Sequence, residues 1–401
     1  MLMQSTQTPF SQQELLPQEE MLEISQNKSE MLIGLPKEIS DGEKRICLTP
    51  DSIHALTANG HKVYVEKNAG VHAGFSDRDY SEAGGIISAE KDKIFSCPIV
   101  LKVSPPSLEE IKMLNPQSIL ISALQLKMRK KIFFQKLAEK RITALAFEFI
   151  KDEHGGLPAV RALSEIAGTS SILIASEILS STKYGNGLMF GNTSGVPPTE
   201  VVILGAGTVG EFAARATLGL GANVKVFDSS LTKLRCIQTQ LNQQIYTSTL
   251  QPKNLIKALK RADVVIGAVR GINRSPVLVT EEMVKQMKKG AVIIDVSIDM
   301  GGCVETSEVT SHEKPVVVKH DVIHYGVPNI PSRYARTSSV SISNMFTPYL
   351  LNIGENGGLE NTLRFDTGLR NGLYFYHGVL TSKSVANWFD LSYRDPNLLI
   401  F

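Results

Sequence analysis

Residues 200–228 read EVVILGAGTVGEFAARATLGLGANVKVFD, and this stretch decides the fold. Residues 201–204 are a short apolar run, the pattern of a strand buried on both faces. Gly205-Ala206-Gly207-Thr208-Val209-Gly210 then fits G-x-G-x-x-G. The first glycine permits a tight turn, the second lets backbone approach a pyrophosphate, and the third lets a helix lie close on the strand. An Ala-rich helix continues from Glu211, and the N–H groups at its start would face the phosphates. A second strand follows and ends at Asp228, where a carboxylate can accept both ribose hydroxyls. G-x-G-x-x-G alone is a weak signal. Strand, helix, second strand and terminal acid together specify a dinucleotide site. Ser229 and Ser230 follow Asp228 with no adjacent Arg to hold a 2′-phosphate, so the expected cofactor is NAD and not NADP.

Around this unit the chain reads as α/β throughout. Its 401 residues are too long for one ordinary core and suggest two domains. Apolar residues make up 42% and charged residues 20%, with a net charge of +2, which points to neither disorder, nucleic acid nor membrane. No run of about 18 apolar residues occurs, so no spanning helix is expected. The four cysteines are scattered and form no Cys-x-x-Cys pair, which fits a reducing cytoplasm and no metal site. Strands alternate with helices from "MLIGLPKEI" onward, the pattern of a parallel sheet with helices on both faces. The expected architecture is two Rossmann-like, doubly wound domains with parallel sheets and an interdomain active-site cleft. Residues 1–30 read as a polar tail with one short helix near 11–25. Residues 31–160 plus 336–401 are assigned to a substrate domain, and 161–335 to the dinucleotide domain. A long apolar helix near 162–179 would connect them.

A second signal is "AVIIDVSIDMGGC", a buried strand ending in Asp295, Asp299 and two glycines. Acids at the C-terminal end of a parallel strand usually face the ligand crevice. Asp295 also fits a capping role.

Taken in order, "IGLPKEISDGEKRICLTP", "GHKVYVEKNAG", "GFSDRDYSEAGG", "ALSEIAG", "GAGTVG", "VKVFDSSLTKLR", "RADVVIGAV", "AVIIDVSIDMGGC" and "VPNIP" resemble the alanine dehydrogenase family, with its saccharopine dehydrogenase and transhydrogenase relatives. The resemblance implies NAD-dependent oxidative deamination of a small amino acid, reversibly, by a cytoplasmic homo-oligomer, with a hexamer as the family's tendency. It implies that Arg45 binds the substrate carboxylate, which suits a planar guanidinium. It implies Ser164, Gly205, Gly207, Val209, Gly210, Asp228, Lys233 and Asn329 as cofactor contacts, and Asp299 beside the reacting carbon.

The substrate side departs from the family pattern. Family members commonly read Lys-Val-Lys-Glu-Pro where this chain has Lys102-Val103-Ser104-Pro105-Pro106. They commonly carry an aromatic and then a histidine in the segment SILISALQLKMRKK (118–131), where this chain has Ala123 and Gln125. Glutamine cannot take a proton from water. Gln125 is therefore expected to orient substrate or water, with Asp299 handling protons. Lys102, Ser104 and Lys127 are the other candidate substrate contacts, Lys102 by strand alternation with Ser104. His324 is a further candidate proton carrier. Three readings stay open: a working alanine dehydrogenase, a pocket rebuilt for another amino acid, or a non-catalytic NAD-binding protein. A transhydrogenase-like component would need a membrane partner.

Overall fold

The computed structural model describes residues 29–271 and 274–400. The expected short helix near 11–25 lies outside them.

Two sheets organise the chain. The first six strands are β1 (Leu32–Leu35), β2 (Lys62–Glu66), β3 (Ile86–Ser88), β4 (Ile99–Leu101), β5 (Ile119–Ser122) and β6 (Thr143–Ala146). The next seven are β7 (Glu200–Leu204), β8 (Asn223–Phe227), β9 (Tyr246–Ser248), β10 (Val264–Gly267), β11 (Val292–Asp295), β12 (Val316–Lys319) and β13 (Val322–Tyr325). Two more close the chain, β14 (Leu373–Tyr376) and β15 (Val379–Leu380). The first sheet runs β15-β14-β6-β5-β4-β1-β2-β3, and the second β12-β13-β11-β10-β7-β8-β9.

The central strands are parallel and buried on both faces, so they read as unbroken apolar runs such as VVIG in β10. In each sheet the winding reverses once, between β1 and β4 and between β7 and β10. Such reversals open a crevice beyond the strands' carboxyl ends. The segments after β1, β4, β7 and β10 are therefore where ligand chemistry belongs.

Both sheets are mostly parallel, as expected, with antiparallel pairing added at one edge of each. β12 pairs antiparallel with β13, and β14 pairs antiparallel with both β6 and β15. Each added pair is a hairpin with a two-residue turn of positive φ, His320-Asp321 (53° and 58°) and His377-Gly378 (48° and 82°). Such turns match the right-handed twist of the flanking strands.

Apolar layers cover both faces of each sheet. Two long helices, Pro158–Ser180 and Ala335–Glu355, pack on each other and carry the chain between the sheets. The first of them runs beside helix Thr208–Gly219 at close range. A Cβ on Gly168 would sit 2.4 Å from the Val209 carbonyl oxygen, so only glycine fits. By length and composition alone, Pro158–Ser180 could span a bilayer, with a mean hydropathy of 1.3. It is not an unbroken apolar run, because Arg161, Glu165 and Glu177 fall within it. Half of its most apolar window is buried within the protein, where it supports the nucleotide sheet.

Candidate active site

The nucleotide side is built by the turn after β7. Gly210 lies under Gly205: a Cβ there would meet the Gly205 carbonyl oxygen at 1.9 Å, so helix and turn can close only on glycine. At Gly207 a Cβ would meet nothing within 4 Å. That open space lies at the start of helix Thr208–Gly219, whose N-cap, Gly207, supplies no side-chain hydrogen bond. The first N–H groups of a helix need partners, and an anion satisfies them. Val209 is half-buried in the same turn.

Asp228 follows β8 and is buried, and its carboxylate holds the turn from below. Oδ2 accepts the Ala206 N–H at 2.8 Å and Oδ1 accepts the Ser230 N–H at 2.7 Å. Each oxygen retains a second lone pair, so the group can accept ribose hydroxyls as well. Lys233 is exposed in the first turn of the next helix, and Ser164 is half-buried on the long helix Pro158–Ser180. An open glycine turn, an uncapped helix start and a buried terminal acid fit a dinucleotide.

The substrate side begins after β1. Arg45 is buried, and Glu43 takes one edge of its guanidinium, with Nε–Oε1 at 2.7 Å and Nη2–Oε2 at 2.6 Å. Nη1 has no hydrogen-bond partner among the described residues. Burial pushes the Glu43 carboxyl up, but the hydrogen bonds and charge of Arg45, with the Asn329 amide, hold it below the usual carboxylate range.

Asn329 joins the two halves of the molecule. Its Nδ2 donates to Glu43 Oε2 at 3.2 Å, and its backbone N–H donates to Asp299 Oδ1 at 3.2 Å. It adopts the left-handed region (φ 54°), which Asn tolerates better than most residues. Asp299 stands in the short 3-10 turn Val296–Met300 after β11, and its side chain reaches solvent. Surrounding protein nonetheless pushes its carboxyl above the usual aspartate range. The Asn329 N–H and the Arg45 charge pull the other way, and Asp295 adds to the rise. Arg45, Asn329 and Asp299 thus share one network although they come from three distant segments.

Gln125 and Lys127 stand in the segment that follows β5. Gln125 is exposed and left-handed (φ 47°) just beyond β5. Lys127 reaches across to the second half, with Nζ 3.4 Å from Met300 Sδ, beside Asp299.

Lys102 has other work than the substrate contact expected of it. The ladder with β5 continues past Leu101, with Lys102 N donating to the Ile121 carbonyl at 2.9 Å and Ala123 N to the Val103 carbonyl at 3.1 Å. Lys102 is fully buried, with Nζ 3.1 Å from Glu110 Oε1 and 3.4 Å from Glu38 Oε2. Burial opposes its charge, but the two carboxylates outweigh that and hold the ammonium above the ordinary lysine range. Ser104 is buried nearby in sequence. Glu38 Oε1 accepts the Val103 N–H at 2.6 Å, and Oε2 makes no hydrogen bond. Burial pushes the Glu38 carboxyl to about 7, against the pull of Lys102.

His324 is not a proton carrier in the crevice. It is buried on β13, where Nδ1 donates to the Val322 carbonyl oxygen at 3.0 Å and Nε2 faces Thr306 Oγ1 at 2.7 Å. Burial lowers its pKa to about 4, so it stays neutral. Asp295 caps a turn, accepting from the N–H groups of Ser297, Cys303 and Val304. Among the described residues no cluster of three His, Cys, Asp or Glu side chains could hold a metal.

Sequence reasoning missed Glu43, Glu38 and Glu148. Only Glu43 left a signal, an acid two residues before Arg45.

These features define a class: a two-unit α/β protein with a dinucleotide turn on one side of a seam and a buried Arg–Glu fork on the other. The chain belongs to the alanine dehydrogenase/PNT family, whose N-terminal domain profile matches residues 34–167 and whose C-terminal domain profile matches 171–383. It is 38% identical over 365 residues to an alanine dehydrogenase of Staphylococcus haemolyticus, covering 90% of this chain and 97% of that protein. It superposes on a solved L-alanine dehydrogenase with a TM-score of 0.85 and 34% identity, covering 90% of this chain and 99% of that one. A Sinorhizobium meliloti transhydrogenase shares the fold, with a TM-score of 0.76 at 21% identity, covering 88% and 99%. Members of this family use NAD.

Proposed function

We propose that the protein is an NAD-dependent L-alanine dehydrogenase. It converts L-alanine, NAD and water to pyruvate, ammonium, NADH and a proton, and runs the reverse reaction. The observation that carries this reading is the network Arg45–Glu43–Asn329–Asp299. It brings a buried guanidinium and a solvent-reaching carboxylate to one seam, beside the nucleotide unit. Identity to alanine dehydrogenases over nine-tenths of the chain supports it.

In this reading NAD supplies the hydride acceptor, held by the glycine turn 205–210 with Asp228 on the ribose. Arg45 binds the substrate carboxylate with the guanidinium edge that Glu43 leaves open. Glu43 fixes that guanidinium, so little order remains to be gained when substrate arrives. Loss of hydride from the α-carbon leaves an imine, which water attacks and ammonia leaves. Asp299 moves the protons of that sequence, helped by a raised pKa. Gln125 offers a carbonyl oxygen and an NH₂ group that orient substrate or water. A cytoplasmic homo-oligomer is the setting carried over from the family, and four unpaired cysteines are compatible with a reducing compartment.

Ser104 and Gln125 favour a second reading, a pocket rebuilt for another amino acid. A panel of amino acids with NAD, followed by NADH absorbance, separates the two. Alanine as the best substrate is the expected result, and no turnover of it would end the first reading. Within it, Asp299→Asn should abolish turnover and leave NAD binding intact. Gln125→Ala should cost roughly tenfold, the size of one neutral hydrogen bond.

A further inference from the structure

β5 and β6 are parallel neighbours in register, with Ser122 level with Ala146. Two residues further on, Leu124 and Glu148 stand side by side beyond the sheet. The Glu148 carboxylate turns toward β5 and accepts two successive N–H groups on one oxygen: Leu124 N to Oε1 at 2.7 Å and Gln125 N to Oε1 at 3.2 Å. These donors have left the ladder and would otherwise need other partners. At that point the chain bends into the left-handed region at Gln125 (φ 47°, ψ 52°) and enters the 3-10 turn Leu126–Met128. The turn closes with Met128 N to the Gln125 carbonyl at 2.9 Å and sends Lys127 across to Met300. A glutamine in this conformation persists only where its surroundings hold it.

Polar groups behind the turn are also short of partners. Glu148 Oε2, Arg129 Nε and the Tyr374 hydroxyl are buried with no hydrogen bond. Glu148 and Arg129 both bear electrostatically on Tyr374, which places the three together. Arg270, on the segment after β10, acts on Glu148 from the second half.

The geometry points to Glu148 as a positioning residue for the substrate side, because its carboxylate holds the strand-end turn that presents Gln125 and Lys127 to the seam. This rests on the reading of that seam as the substrate site. Glu148 itself works through the two backbone N–H groups and not on the reacting atoms.

The test uses the full-length protein carrying Glu148→Ala, Glu148→Gln or Glu148→Asp. Glutamine keeps an acceptor oxygen at the same reach. Aspartate keeps the charge but withdraws it by one methylene. Amide hydrogen exchange in the protein without substrate should speed up at least tenfold in residues 124–129 for Ala and Asp, and change little for Gln. Exchange in the glycine turn 205–210 and NAD affinity should stay at parental values. In the alanine assay, Ala and Asp should raise KM or lower kcat about tenfold, with recovery in Gln. Unchanged exchange at 124–129 in the Asp variant overturns the assignment, even if the Ala variant fails to fold. Faster exchange with unaltered kinetics overturns it too, since the turn would then position nothing. A parent that does not oxidise alanine defeats the proposed function, while the exchange measurement still decides whether Glu148 holds the turn.

Discussion

Glu43→Ala removes the fork that holds Arg45, and its cost can be worked from the surroundings. The pair is almost wholly shielded, with side-chain exposures of 3% for Glu43 and 6% for Arg45, so solvent screens little of it. The carboxylate also accepts the Arg45 backbone N–H at 3.0 Å and the Asn329 amide at 3.2 Å. Alanine leaves a buried guanidinium without its paired carboxylate. Breaking a buried pair from one side typically costs about 3–5 kcal/mol. Glu43→Gln keeps one acceptor oxygen and should cost less. Because Glu43 titrates below its unfolded value of 4.5, its contribution is complete above that value. It fades as pH falls through the folded pKa, so parent and variant should converge in acid. Equilibrium urea unfolding at neutral pH and near pH 3 measures both effects. A neutral-pH difference under about 1 kcal/mol, the scale of an exposed pair, would refute the reasoning. So would a difference that does not shrink in acid.

Asp228→Ser should weaken NAD binding by about 1–3 kcal/mol, the value of a lost charge-assisted hydrogen bond, read by fluorescence titration. Equal affinity of the parent for NAD and NADP would count against the assigned role of Asp228. Glu38→Gln should stabilise the protein above pH 7. The folded Glu38 pKa is raised to about 7 from 4.5, so its favourable contribution is present below 4.5 and lost as pH rises through 7. That shift corresponds to roughly 3 kcal/mol at most. Unfolding curves at pH 5 and pH 8 that move in parallel for parent and variant would contradict this.

The nucleotide unit was legible because its constraints are local. Gly205, Gly207 and Gly210 lie within six residues, and their spacing alone states which backbone atoms must approach. Doubly buried strands such as β10 announce themselves as unbroken apolar runs. The hairpin edges were missed because His320-Asp321 and His377-Gly378 are weaker turn signals than Asn-Gly. The substrate side is assembled from a distance. Asn329 meets Glu43 across 286 positions, and Glu148 meets Gln125 across 23. Neither pairing leaves a periodicity to read. The pairing of Lys102 with Glu38 and Glu110 leaves no sign either, because those carboxylates come from other segments of the chain. His324 was misplaced because order along the chain does not say which way a strand residue points.

The order in which strands enter the first sheet bears on how the chain is made. β1 to β6 leave the ribosome first, yet β14, which covers the open edge of β6, lies more than 220 residues further on. The whole second sheet is synthesised in between. Through that interval β6, whose residues are all buried in the finished fold, presents an unpaired edge. Such an edge is a template for pairing with another chain. The nascent protein therefore passes through a stage in which its second unit can be complete while its first cannot. A ribosome stalled in that window would expose β6 to chaperones and to neighbouring chains alike.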